Sequence, residues 1–236
     1  MMKDLLQEKN ALYGRFAVTI KLNELNYLDT AKFYPDKTPY DKVAHYAVFG
    51  GSPFVNQALR PTATLRENIV STILNPVSAV YLYASQLLLS DYSVKINAER
   101  IFAVIGNGKK RYSEIEDKLD VKKTGNLAKQ MKPLRDLEII SRNYPINKLN
   151  DSKKSTFEIN DNLLRFYFTF IYKNASALQV LGAEAFYDEY VAPTLTDFIS
   201  RRFEGICRDY FSLQVRSGKL KGVRNIGSYY YDDPVH

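Results

Sequence analysis

Five consecutive segments decide how this chain reads: Asn97-Ala-Glu-Arg-Ile-Phe-Ala-Val-Ile105, Ser113-Glu-Ile-Glu-Asp-Lys-Leu119, Thr124-Gly-Asn-Leu-Ala-Lys-Gln-Met-Lys-Pro-Leu-Arg-Asp-Leu137, Glu138-Ile-Ile-Ser-Arg-Asn-Tyr-Pro-Ile146 and Ser155-Thr-Phe-Glu-Ile159. Asn97 has the chemistry of a helix N-cap, and Gly106-Asn-Gly108 ends that helix. Ser113 is placed to cap a second helix, with Glu116 at capping-box spacing. In the third segment Leu127, Met131, Leu134 and Leu137 recur on one helical face, and Pro133 should kink the helix or strain it. The last two segments read as strands joined by the polar loop Asn147-Lys-Leu-Asn-Asp-Ser-Lys-Lys154. Three helices followed by a hairpin with a basic loop is the order of a winged helix-turn-helix.

In such a module the third helix enters the major groove and the hairpin loop, the wing, meets the phosphate backbone. Lys122, Lys123, Asn126 and Lys129 are then the groove or phosphate candidates on the helix, and Lys148, Lys153 and Lys154 those on the wing. Charge points the same way. Residues 91–160 hold 15 Lys and Arg against 10 Asp and Glu, whereas residues 161–236 hold nine of each. A basic surplus suits nucleic acid. A module of this shape can equally pack protein on protein, and the order of elements leaves both open.

Outward toward the N-terminus, residues 2–10 read as a helix and Arg15 to Leu22 as a strand. Asp41 to Phe49 reads as a helix stopped by Gly50-Gly51, and Pro53 can begin the next. Thr64 with Glu67 forms a capping box for a helix to about Ile73, and Pro76 opens another to about Leu89. Outward toward the C-terminus, the aromatic run Phe166 to Tyr172 could stack bases but is better placed as core, and Glu184 to about Leu213 is a long helix. Ile226 to His236 has the pattern of a strand. The fold class is mainly α with small β elements (α+β), divided as 1–35, a helical unit 36–91, the winged helix 92–160 and a mostly helical unit 161–236.

Much chemistry is excluded. Two histidines, His45 and His236, and one cysteine, Cys207, cannot build an ordinary zinc site or an internal disulfide. His45 lies within a helical pattern and is expected to be structural. The longest apolar stretch, Val77 to Leu89, falls short of the roughly 18 residues of a membrane span, and a cytoplasmic location is expected. No segment supplies a phosphate-binding loop: in Gly106-Asn-Gly-Lys-Lys110 the first glycine position is Ala103 and the hydroxyl position is Lys110. ATP hydrolysis by this chain alone is not expected.

Several segments together resemble archaeal and bacterial AAA-like ATPases of the signal-transducing (STAND) kind. They are Ala11-Leu-Tyr-Gly-Arg-Phe16, Phe49-Gly-Gly-Ser-Pro53, Arg66-Glu-Asn-Ile69, Asp161-Asn-Leu-Leu-Arg-Phe-Tyr-Phe168, Phe203-Glu-Gly-Ile-Cys-Arg208 and Ile226-Gly-Ser-Tyr-Tyr-Tyr-Asp-Asp-Pro234. The resemblance implies that residues 1–35 are the tail of an ATPase core and 36–91 its helical lid. It also implies a truncated nuclease-like domain from 161. By the same resemblance Arg15 lies near the nucleotide, and Gly50, Gly51 and Pro53 lie beside the adenine. ATP and Mg are the cofactors of the intact protein, and neither is expected to be held firmly here. Glu204 matches an acidic helix position of the nuclease-like fold, a weak metal candidate. The chain then reads as a fragment without its phosphate loop, binding DNA or a protein partner. Two other readings are a stand-alone transcription regulator and an ATPase whose other half is omitted or supplied in trans.

Overall fold

The computed structural model describes residue 20 and residues 22–90, 98–106, 108–121 and 126–231. The fold is α+β, mostly helical with one small sheet. Among the described residues no helix is long and apolar enough to cross a membrane. The expected helix at 2–10 and most of the expected strand at 15–22 lie outside the described residues.

The first helices start where their caps dictate. After a single turn, α1 (Tyr27–Thr30), Thr38 accepts the Asp41 N–H and Pro39 opens α2 (Pro39–Phe49), which Gly50 ends at φ +70°. Pro53 opens α3 (Pro53–Ala58). Thr64 and Glu67 form the expected reciprocal box at the start of α4 (Leu65–Ser71). The next helix, α5 (Ala79–Ser90), begins three residues later than Pro76 suggested, because Ser78 supplies the cap by accepting the Tyr81 N–H at 3.0 Å.

Next come α6 (Ala98–Ile105), β1 (Lys110–Arg111), α7 (Tyr112–Leu119), α8 (Asn126–Asp136), β2 (Ile140–Asn143) and β3 (Thr156–Ile159). The three strands form an antiparallel sheet in the order β1-β3-β2, with Ile140 opposite Ile159 and Lys110 opposite Phe157. Ser113 does not cap α7. The helix starts earlier, at Tyr112, and the Glu114 carboxylate accepts the Arg111 N–H at 2.6 Å. Helix α8 runs through Pro133.

The aromatic run forms α9 (Asn162–Phe166), capped by Asp161 and continued by a wide turn over Tyr167–Ile171. Then come α10 (Ala175–Phe186), broken at Gly182, a second wide turn over Tyr187–Val191, and α11 (Ala192–Arg216). Residues 226–231 are not a strand: one backbone bond, Ile146 N–H to Ser228 O at 2.9 Å, joins them to the hairpin, and Asn147 side-chain bonds replace a ladder.

Two apolar cores result. One combines Tyr34, Phe49, Ile69, Ile73 and Leu74 with Phe166, Phe170, Phe186 and Phe198. The other combines Ile101, Phe102, Ile115, Met131, Leu134 and Phe157 with Leu164 and Phe168. Helix α9 and its wide turn are the shared wall, turning Phe166 and Phe170 one way and Leu164 and Phe168 the other. The aromatic run is therefore core. The boundary read at 160 does not isolate the helical unit 36–91 from the C-terminal helices, since residues after 161 complete its core.

Candidate nucleic-acid interface

The hairpin loop is built on Arg142. Its Nε donates to Ser155 Oγ at 2.8 Å and its Nη2 to Ser152 O at 3.2 Å. Its guanidinium lies 5.0 Å from the centre of the Tyr144 ring and 5.4 Å from that of Phe157, a cation–π arrangement. Asp151 tightens the tip by accepting the Lys153 N–H at 2.9 Å. A concavity of about 670 Å³ opens between this loop and the start of α7, lined by Arg111, Ser113, Arg142, Lys153 and Lys154, with Asp151 as its acid. Four cations against one carboxylate give it the sign a phosphate backbone needs.

The sequence candidates are only partly gathered there. Lys153 is exposed at the concavity and Lys154 lines it half-buried. Asn126 and Lys129 are exposed on α8, and Lys148, half-buried, lies outside the lining. Lys122, Lys123 and Arg15 lie outside the described residues. Arg111, Arg142 and Tyr230 were not singled out by the sequence. Arg142 lies opposite Phe157, on the same face of the sheet as Ile140 and Ile159, in a register only the β2–β3 pairing reveals, and Tyr230 reaches the loop from far along the chain.

Tyr230 occupies part of this surface. Its hydroxyl accepts from Lys154 Nζ at 2.6 Å, and that ammonium lies 4.1 Å from its ring centre. The Arg111 guanidinium lies 5.8 Å from the same ring. Asn147 anchors the segment, donating to Tyr230 O at 2.8 Å and accepting its N–H at 2.9 Å. Gly227 permits the approach, because a Cβ there would come within 2.8 Å of Ile146 Cγ2.

The glycine pair has a local explanation. A Cβ on Gly51 would fall 1.9 Å from the Leu25 carbonyl oxygen, whose residue donates its N–H to Gly51 O at 3.0 Å. Gly50 faces Glu24 and Asn162. The chain itself fills the space the two glycines leave, so among the described residues they do not form an open cradle for an adenine. Pro53 is exposed at the first position of α3. Beside the pair, Glu24 is raised to about 8 by burial of its carboxyl and by the neighbouring Asp161, to which it is hydrogen-bonded. Asp161 is also raised, chiefly by burial.

Both oxygens of Glu204 already have protein partners. It accepts from Lys109 Nζ at 2.7 Å and from Ser228 Oγ at 2.6 Å. Burial pulls its pKa upward, but these bonds outweigh it and hold the carboxyl below its ordinary value. No group of three or more His, Cys, Asp or Glu is assembled to hold a metal among the described residues. His45 is fully buried and satisfied. Its Nδ1–H donates to Asp41 O at 2.7 Å and its Nε2 accepts from Asn68 Nδ2 at 3.3 Å, and burial holds its pKa down.

Residues 167–234 match a family described as archaeal and bacterial proteins of unknown function, DUF234. The chain is also similar to an uncharacterized protein of Methanocaldococcus jannaschii, 24% identical over 222 residues, which are 93% of this chain and 49% of that protein. No solved structure matches it. The chain thus spans about half the length of the curated relative it resembles, and the family match falls on the segment from the wide turn after α9 to the tail that reaches the hairpin loop.

Proposed function

We propose that residues 98–159 are a winged helix that binds nucleic acid through its wing, within the C-terminal part of an AAA-like ATPase. The observation that carries this is the order α6-β1-α7-α8-β2-β3 with sheet order β1-β3-β2, presenting a basic concavity at the hairpin loop. Arg111, Lys153 and Lys154 contact phosphates, while Asn126 and Lys129 on α8 reach toward the groove. ATP and Mg belong to the whole protein and its cytoplasmic setting. A relative about twice as long supports the placement as part of a larger protein.

A second reading has one observation behind it: the wing already holds a protein segment, Tyr230, so the same face suits a peptide from a protein partner. Fluorescence anisotropy with a short duplex separates the two. If the wing takes DNA, Tyr230→Ala strengthens binding severalfold, because duplex and tail compete for Lys154 and Arg111. Unchanged DNA affinity in Tyr230→Ala contradicts the wing as the DNA surface.

A further inference from the structure

We propose that the cavity enclosed by α9, α11 and the glycines after α6 binds a small organic phosphate. It holds about 320 Å³, within the range of small-molecule sites, and lies apart from the wing. At its wall is Arg165, only 3% exposed. One nitrogen of its guanidinium, Nη2, donates to Ile159 O and lies 3.3 Å from Glu158 Oε2. Its Nε and Nη1 have no partner among the described residues. Those two nitrogens carry most of the guanidinium's donors, and buried donors of a cation are rarely left unmade without a ligand to meet them.

Charge around the cavity is unbalanced in the same sense. Arg202 shares the one carboxylate of Glu158 with Arg165, at 3.2 Å, and Arg201 also lines the space. Among the described residues Arg165 and Arg202 share a single carboxylate, which leaves that wall net positive, while Arg201 and Asp197 line the space together. A phosphate monoester carries between one and two negative charges near neutral pH and offers several acceptor oxygens, so it matches both the excess charge and the open donors. Burial also holds the Arg202 pKa below its ordinary value, as expected of a cation with too little counter-charge.

Two further features shape the ligand. Phe170, Phe198 and Tyr190 form an apolar wall that gives the body of an organic phosphate a surface to pack on. The rim is narrow by construction: a Cβ on Gly106 would fall 2.7 Å from Phe168 Cβ, and one on Gly108 would lie 3.3 Å from Arg201 Nη1. Beside this rim lies a second hollow, lined by Arg201, Arg202, Lys109, Lys110 and Glu204, in which Glu204 is paired with Lys109 and the other cations leave it basic.

Thermal-shift and calorimetric titrations of the whole chain with inorganic phosphate, adenosine monophosphate and adenosine test this. A ligand that binds only the folded state raises Tm with the logarithm of its concentration. Adenosine monophosphate should raise Tm and bind about tenfold or more tightly than inorganic phosphate, and adenosine should do neither. Arg201→Gln, at an exposed position, should weaken adenosine monophosphate about tenfold or more by calorimetry, with each Tm shift read against the variant's own unligated Tm, and Arg165→Gln should be weaker still. No shift with either phosphate up to about 10 mM overturns the site. So does the same affinity in Arg201→Gln as in the unaltered chain. Equal binding of phosphate and adenosine monophosphate overturns the organic part of the assignment.

Discussion

The helical core and the hairpin core bury different kinds of polar group. In the helical core they are neutral and answered. His45 bonds to Asp41 O and Asn68, Asn68 also to both backbone groups of Arg60, and Asn56 to Tyr34, Gly50 and Ser52. Thr30 Oγ1 is an exception, a single hydroxyl. At the edge of the hairpin core Ser155 is neutral and answered, but the other buried polar groups, Glu158 and Arg165, are charged. Glu158 serves Arg165 and Arg202 at once, and Arg165 keeps two nitrogens unanswered. The first arrangement needs nothing from outside to be complete. The second leaves the cations in excess, and that difference separates a packing role from a binding role more sharply than burial does.

Removing the shared carboxylate should have the largest effect. Glu158→Ala leaves two guanidinium groups buried without their partner, and a loss of about 3–5 kcal/mol in chemical denaturation is expected. If Arg165 and Arg202 were in fact well solvated, the loss would stay below about 1 kcal/mol. Asn68→Ala, in the neutral network, should cost about 1–3 kcal/mol by leaving His45 and the Arg60 backbone unpaired. A larger loss in Asn68→Ala than in Glu158→Ala would break the contrast between the two regions.

A smaller effect is the response to pH. The Glu24–Asp161 pair holds its proton more tightly folded than unfolded. Its stabilisation is complete below the ordinary carboxylate range and is lost as pH rises toward about 8. His45 acts in the opposite sense: its lowered folded pKa makes stability fall as pH drops below the ordinary histidine value of about 6.5. Tm should therefore peak in the mildly acidic range, and Glu24→Gln should flatten only the alkaline side. An unaltered alkaline slope in Glu24→Gln would remove the pair from the account.

The elements were legible wherever local chemistry decides them. Thr64 with Glu67, and Gly50, mark helix ends through bonds within a few residues, and Leu127, Met131 and Leu134 of the α8 stripe face inward as their spacing requires, whereas Leu137 lies past the helix end and is exposed. Reading failed where a distant partner decides. Arg111 rather than Ser113 starts α7 because β1 leads directly into the helix. The tail looked like a strand, but the side chain of Asn147 takes the backbone bonds of Tyr230 that a ladder would have taken. The two faces of α9 could not be told apart in a nearly continuous aromatic run, so the shared core was hidden. Of the candidate site, the lysines of the loop were readable from charge alone. Arg142, Tyr230 and the unanswered nitrogens of Arg165 depend on contacts made across the fold.

Salt dependence of duplex binding tests the proposed function most directly, comparing the unaltered chain with Lys153→Glu, whose side chain is exposed and supports no core. Neutralising phosphates releases counterions, so log K should fall linearly with log salt, and losing one contact should reduce the slope by about one. A shallower slope with weaker affinity at low salt is the predicted result. An identical slope and affinity in Lys153→Glu would contradict phosphate binding at the wing.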